Sequence, residues 1–454
     1  MITSPVFAGK RYAVLGLARS GLATVRALVE SGAQVTAWDE RGEARAILTP
    51  GATLGDPMAI DLAGYDGIVV SPGVPLNTHP IAARARDAGV PVIGDIELFA
   101  QARASLPPHK VVGITGTNGK STTTALIHHI LGVAGVPTLM GGNIGLPIMG
   151  QEPLPAGGVY VLELSSFQID LTHSLDCDVA VLTNITPDHL DRYDGFEGYR
   201  ASKLRLFDMM KAPHIGVFHH TEADRPLYEK LIAANEHRIW SNYDDNVVDP
   251  YDLWGAFDKD GKTASRDHLT TQKDWPGLQG PHNAQNAIAA ILACSAIGVP
   301  EEIVSRALCT YPGLPHRMER VGEIDGVLYV NDSKATNATS AAPALAAYPK
   351  VHWILGGRRK TDDLDACAPH YGHVVAAYTI GESAELFKEL LLRAGIYTID
   401  TGTLEAAVRQ AAAVARPGET VLLSPACASY DQFKDYEARG DAFKAAVASL
   451  RSRG

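Results

Sequence analysis

Apolar residues fall into short runs that alternate with stretches of helical spacing. RYAVLG reads as a strand; Leu22, Val25, Leu28 and Val29 then share one face of a helix that Gly32 stops, and QVTAWD is the next strand. DGIVVSPG and VPVIGD follow, the second after another helical stretch. Alternation of this kind predicts a parallel, doubly wound sheet. A proline-marked seam, SLPPHK, ends this block, and KVVGIT opens a second. There a helix carries Leu126, Ile127, Ile130, Leu131 and Ala134 on one face, and GVYVLELSS, VAVLTNI and HIGVFH read as buried strands. From Asn242 to Trp275 the pattern turns polar, with weak strand runs, before a helix that starts at GPHNAQN. A second seam, YPGLPHR, leads to a third alternating block with strands VLYVND, VHWILGG and TVLLSPA.

Composition narrows the class. At 454 residues the chain exceeds one ordinary core, and 46% hydrophobic with 20% charged residues describes a water-soluble globular protein. A formal charge of −11 argues against nucleic acid or an anionic membrane as main partner, though local basic groups still admit an anionic substrate. No apolar run reaches the roughly 18 residues of a membrane span, and the N-terminus lacks a secretory apolar segment, so a cytoplasmic location is expected. Cys177, Cys294, Cys309, Cys367 and Cys427 are scattered without C-x-x-C, which favours neither a zinc cage nor a disulfide framework.

The chemistry centres on GITGTNGKSTTTAL, which sits between a strand and a helix as a phosphate-binding loop does. Glycines let backbone N–H groups turn inward around an anion, Lys120 would reach the terminal phosphates, and the Ser121 hydroxyl would ligate Mg²⁺. Ile114 stands where the usual pattern has its first glycine, with Gly113 one place earlier. Glu163 follows an apolar run, at a strand end where open α/β sheets place ligands, and a carboxylate there can hold Mg²⁺. TNITPDHLDRY brings Asp188 and His189 to the same edge, while His128 and His129 read as an ordinary helix face. Asn143, between glycines in GGNIG, suits a backbone held near a ligand. In the first block, Gly16-Leu17-Ala18-Arg19-Ser20-Gly21 follows a strand and Asp39 ends the next. This is a dinucleotide fingerprint with Ala18 at its second glycine, where it crowds a pyrophosphate and weakens a nicotinamide reading.

GITGTNGKST, GGNIG, ELSSFQ, NITPDHLDRY, GPHNAQNAIAA, LPHRME and NDSKATN occur in the order found in the Mur ligases of peptidoglycan synthesis, and the resemblance spans essentially the whole chain. SPACASYDQFKDYEARGDAF resembles the amino-acid site of the branch that adds D-glutamate to UDP-N-acetylmuramoyl-L-alanine, and no DNPR-like segment marks a diamino-acid-adding branch. The resemblance implies an α/β chain of three domains. These are a Rossmann-like uridine-binding domain (1–107), a central P-loop ATPase-type domain with a mostly parallel sheet (108–313), and a C-terminal Rossmann-like amino-acid-binding domain (314–454).

ATP would lie on Gly116, Thr117, Asn118, Gly119, Lys120, Ser121, Thr122 and Thr123. Asn283 and Asn286 would approach the adenine, and Arg317 and Asp332 the nucleotide. Two Mg²⁺ ions would use Ser121, Glu163, His189 and Lys203; Lys203 lies in YRASKLRLF, whose family counterpart is carbamylated, a change that replaces a repelling ammonium with oxygen ligands. The catalytic set implied is Lys120, Glu163, His189 and Lys203. The UDP-sugar would meet Arg19, Ser20, Asp39, Arg41, Ser71 and Gly73, with Asn143, Ser165 and Gln168 further along the substrate. The incoming amino acid would meet Lys334, Thr336, Lys360, Ser429, Tyr430 and Tyr436. The implied reaction forms an amide through an acyl phosphate, in a monomer acting on small molecules.

Other classes fit less of the chain. A dehydrogenase leaves the phosphate loop idle, and a nucleotide switch has no use for NDSKATN and SPACAS. Folylpolyglutamate synthetase shares the ATP core but does not account for the first block.

Overall fold

The computed structural model describes residues 1–211, 214–220, 238–243 and 272–451. The polar stretch from Asn242 to Trp275 falls largely outside them. Among the described residues the first sheet comprises β1 (Arg11–Leu15), β2 (Gln34–Trp38), β3 (Thr53–Leu54), β4 (Gly67–Val70) and β5 (Val92–Ile93), all parallel in the order β3-β2-β1-β4-β5. Helices α1 (Arg19–Glu30), α2 (Gly42–Ala46), α3 (Ile81–Ala88) and α4 (Asp95–Ala102) connect or follow these strands. β1 is apolar almost throughout because both its faces are covered: Tyr12 and Val14 enter one core and Ala13 and Leu15 another.

Among the described residues the second sheet is also wholly parallel. It contains β6 (His109–Thr115), β7 (Thr138–Gly142), β8 (Gly158–Glu163), β9 (Val179–Leu182), β10 (Ile215–His220) and β11 (Arg238–Tyr243), in the order β11-β10-β9-β6-β8-β7. Its helices include α5 (Lys120–Val133), α6 (Ser166–Asp170) and α7 (Gly195–Asp208). β6 lies between β8 and β9, so loops leaving these strands diverge to either side and open a crevice at their carboxyl ends. The third sheet runs β12-β13-β17-β14-β15-β16, from β12 (Glu319–Ile324), β13 (Val327–Asn331), β14 (Val351–Gly356), β15 (Val374–Ile380), β16 (Thr398–Gly402) and β17 (Thr420–Leu423). Only its edge pair β12–β13 is antiparallel.

The chain clusters into two compact units, Met1–Leu269 with Gln285–Ala307, and Thr270–Ala284 with Leu308–Gly454. Within the first, the two parallel sheets share a continuous core in which Val25, Leu28 and Phe99 are joined to Val111, Tyr160 and Leu162. Ile148 and Met149, in the single turn Ile148–Gly150, are fully buried; that turn packs on α1, and the Met149 carbonyl accepts the Ile2 N–H at 3.1 Å.

Met149→Ala should therefore cost about 2–5 kcal/mol of stability in urea denaturation. Leu392→Ala, at a side chain 48% exposed, should stay within about 0.5 kcal/mol. A cost below about 1 kcal/mol at Met149 would contradict a shared core.

Candidate active site

In the first sheet, Gly16 leaves β1 with φ +100, and an added Cβ would stand 2.8 Å from that of Ser71 beyond β4. Ser20 on the first turn of α1 lines the same narrow crevice. Arg19 and Gly73 are exposed beside it. Asp39 is buried, and its carboxylate accepts the Leu17 N–H at 2.7 Å and the Arg41 N–H and Nε at 3.0 Å. Arg41 chiefly, with these amides, holds the carboxyl down at about 2. Asp39 thus ties the fingerprint loop to Arg41. Asp95, at the start of α4, also lines the crevice; burial lifts its carboxyl to about 6, and the sequence reading did not single it out.

The second sheet gathers the phosphate-loop residues. Gly116 (φ +140) and Gly119 (φ +83) need their missing side chains: a Cβ on the first would strike Thr183 and on the second the Asn286 amide. The first ladder bond of α5 runs from Thr123 N–H to Gly119 C=O, so the positive helix end opens onto the loop. Ser121 lies in that first turn, with Thr122 and Thr123 buried behind it. Asn286 approaches Thr123 Oγ1 at 3.4 Å and therefore backs the loop. Asn283, three places earlier on the helix Pro281–Ala296, donates to the Gln279 carbonyl at 3.0 Å.

Loop carbonyls carry cations. Lys120 Nζ donates to Thr117 O at 2.8 Å, and Lys203 Nζ, brought in by α7, donates to Gly116 O at 2.8 Å. Lys203 is almost fully buried and lies 4.6 Å from the Tyr199 ring centroid. Burial first, then the nearby Lys120 charge, lower its ammonium to about 7, against opposing effects of Asp188, Asp170 and Glu163. Glu163, the last residue of β8, is buried; its Oε1 accepts Asn143 Nδ2 at 3.0 Å while Oε2 has no hydrogen-bond partner. That oxygen suits a hard cation. Among the described residues no group of three or more His, Cys, Asp or Glu could hold a metal alone, so an ion at Glu163 would draw part of its ligand set from other groups.

His189 adopts φ +52 in the loop after β9, half-exposed, with Nε2 3.6 Å from Asp188 Oδ2 and its ring 4.9 Å from that of Phe167. Ser165 and Gln168 cap α6 reciprocally, Ser165 Oγ accepting the Gln168 N–H and Gln168 Oε1 accepting the Ser165 N–H.

The second unit holds the remaining residues. Arg317 lies between two non-glycine residues of positive φ, His316 (+60) and Met318 (+45), and its buried Nε has no hydrogen-bond partner. Such backbone strain clusters at ligand sites. Asp332 follows β13, accepting Ser424 Oγ at 2.8 Å and the Met318 N–H at 3.1 Å; burial pushes its carboxyl up to about 7. Lys334 lies 5.4 Å from the Tyr436 ring centroid, and Lys360 Nζ donates to Thr336 Oγ1 at 3.3 Å. Ser429 is buried, whereas Tyr430 is 66% exposed.

The sequence reading missed Arg439. Fully buried, it donates to Ser333 O (2.8 Å), Ser333 Oγ (3.0 Å) and Cys427 O (3.0 Å), joining the loops after β13 and β17. The available signal was spacing, since Arg439 lies one and two helical steps from the buried Phe443 and Val447.

A phosphate loop, an unsatisfied carboxylate oxygen and a buried lysine at one sheet edge define a nucleotide-using phosphoryl-transfer enzyme. Models of known families match three segments: the Mur ligase MurD-like N-terminal domain over 10–94, the Mur ligase middle domain over 114–294, and the Mur ligase glutamate ligase domain over 316–427. The chain is 61% identical to the UDP-N-acetylmuramoylalanine--D-glutamate ligase of Sphingopyxis alaskensis, over 99% of this chain and 100% of that one. It is 59% identical to the enzyme of the same name from Novosphingobium aromaticivorans, over 99% and 97%. In fold it resembles the UDP-N-acetylmuramoylalanyl-D-glutamyl-2,6-diaminopimelate--D-alanyl-D-alanyl ligase of Acinetobacter baumannii, with TM-score 0.58 and 16% identity over 99% and 92% of the chains. The chain belongs to the Mur ligase family. No helix among the described residues is long and apolar enough to cross a membrane.

Because the folded-state Asp332 carboxyl is raised, its favourable contribution is complete below the unfolded value near 4 and lost as pH rises through about 7. Asp332→Asn should thus gain stability relative to the parent between pH 5 and pH 8, read by urea denaturation at each pH. A difference independent of pH would show that Asp332 is not held in this way.

Proposed function

We propose that the protein is an ATP-dependent ligase that joins D-glutamate to UDP-N-acetylmuramoyl-L-alanine in peptidoglycan precursor synthesis. The identity of 61% over nearly the whole chain to a ligase of that name carries the substrate assignment. The chemistry rests on Lys120, Glu163 and Lys203, which act on one another at the carboxyl edge of the second sheet. The alanine carboxylate attacks the γ-phosphorus, forming an O–P bond as ADP leaves. The D-glutamate amine then attacks the acyl carbon, loses a proton, and expels phosphate from the tetrahedral intermediate.

In this reading Lys120 leaves Thr117 O to meet the phosphates. Gly116 to Thr123 cradle them, and Asn283, Asn286, Arg317 and Asp332 serve the nucleotide. Two Mg²⁺ ions would be held by Ser121, Glu163, His189 and a carbamylated Lys203, and would neutralise charge on the phosphoryl oxygens. An amine titrating near 7 is substantially uncharged at neutral pH and can attack CO₂, forming an N–C bond and releasing a proton. The carbamate N–H can retain the bond to Gly116 O while its oxygens turn to the metal. Arg19, Ser20, Asp39, Arg41, Ser71 and Gly73 serve the UDP-sugar, and Asn143, Ser165 and Gln168 the reacting end of that substrate. Lys334, Thr336, Lys360, Ser429, Tyr430 and Tyr436 serve D-glutamate, the two lysines as carboxylate counter-charges. The working form is a monomer in the cytoplasm. Positioning and electrostatics supply the catalysis, with no protein nucleophile.

Phosphate release from MgATP and UDP-N-acetylmuramoyl-L-alanine should require D-glutamate and stay at background with L-glutamate, L-alanine or meso-diaminopimelate. Equal release without any amino acid would refute the assignment. Lys120→Ala should lower kcat by at least about 10³-fold with an unchanged thermal transition; near-parental turnover would remove Lys120 from the phosphate site. Incubation with ¹³C-bicarbonate should give a lysine carbamate signal that Lys203→Met abolishes.

A further inference from the structure

The pairing of β9 with β6 does not stop where the strands do. Thr183 N–H donates to Thr115 O at 3.0 Å, and Thr117 N–H then donates to Asn184 O at 2.8 Å. At the next step the β9 chain turns away toward His189, and a side chain replaces the missing backbone. Asn184 Oδ1 accepts the Asn118 N–H at 2.9 Å, and Asn184 Nδ2 donates to Asn118 O at 3.1 Å. Thr183 Oγ1 donates to the same carbonyl at 2.6 Å. A carboxamide has the donor and acceptor of a peptide group in one plane, so it can close both bonds of a ladder rung.

We infer that Asn184 is a positioning residue for the phosphate loop, its amide standing in for a strand that has ended. Two consequences follow from the geometry. The N–H groups of Thr117 and Asn118 are already committed to Asn184, so within the loop these two residues shape the cradle rather than lend their amides to phosphate. The fixed Asn118 peptide also sets the point from which Gly119, at φ +83, swings the chain into that helix. Only an asparagine meets both needs at this length. Aspartate would face the Asn118 carbonyl with a second acceptor, and alanine would leave the Asn118 N–H unpaired and its carbonyl to Thr183 Oγ1 alone.

The inference rests on the ATP reading of this loop, and the experiment separates the two. With full-length protein, MgADP affinity is measured by calorimetry, and KM for ATP and for UDP-N-acetylmuramoyl-L-alanine by phosphate release. Parent, Asn184→Ala and the near-isosteric Asn184→Asp are compared. Both variants should bind MgADP about tenfold more weakly and show a KM for ATP raised by the same factor, Asn184→Asp at least as strongly as Asn184→Ala. The KM for the UDP-substrate should stay within about twofold and the melting temperature within about 5 °C. The split between the two KM values is the readout that a purely structural role would not produce. A parent that binds no nucleotide would overturn the ATP reading and this inference with it. A parent that binds, with Asn184→Asp binding equally well, would overturn this inference alone. So would a parallel loss of both substrates and of thermal stability.

Discussion

The pairing of β6 with β8 on one side and β9 on the other is the constraint from which the site follows. Parallel strands in register deliver their carboxyl ends together, so three separate stretches of sequence arrive at one edge: Gly116 to Lys120, Glu163, and Thr183 to His189. None of these segments could hold its arrangement alone. Gly116 is shaped by the strand end opposite it, Glu163 by Asn143 from the loop after β7, and the loop carbonyls by lysines from α5 and α7. Rigid strands set the positions and short loops carry the candidate groups, an arrangement suited to the tolerance that phosphoryl transfer demands.

Much of this was legible in the sequence because it depends on local rules. The phosphate loop announces itself through glycines between a strand run and a helix run, and Glu163 through its place at the end of an apolar run. Blocks of alternating strand and helix pattern became parallel sheets for the reason the pattern implied, since strands covered on both faces must be apolar almost throughout. Features that depend on non-local pairing were not legible. Asn184 is one more polar residue in a motif until the register of β9 on β6 shows what it replaces. Arg439 reads as a surface arginine until the loops it binds are seen to surround it. The joining of the first two sheets through Ile148 and Met149 left no seam in the periodicity, because an apolar pair in a loop can cover a neighbouring sheet as readily as its own. The positive φ values of His316 and Met318 are likewise invisible in residue types, since neither is a glycine.

The buried ionisable groups show the same division between what a fold needs and what a reaction needs. Glu163 Oε2, Arg317 Nε and the Lys203 ammonium are all costly to bury, and none has an opposite charge within ion-pairing distance among the described residues. A core assembled for stability alone would pair or exclude such groups. By contrast, Asp39 and Arg41 neutralise each other, and Arg439 spends its donors on backbone carbonyls. Glu163 Oε2 and Arg317 Nε thus keep bonding capacity that a ligand can take up, whereas Asp39, Arg41 and Arg439 spend theirs on the scaffold.

Net charge sharpens the point. An overall charge of −11 would repel a triphosphate and a UDP-sugar. Lys120, bonded to Thr117 O and near the buried Lys203, sets a local positive charge against that field. Two adjacent ammonium groups destabilise each other, and burial makes the repulsion worse, so one of them must yield. Lys120 opens α5 at the loop, where a bound phosphate would compensate a positive charge. Lys203, enclosed by Tyr199 and Gly116, is the one driven toward the free amine. The same crowding that costs stability thus falls on the more deeply buried of the two lysines.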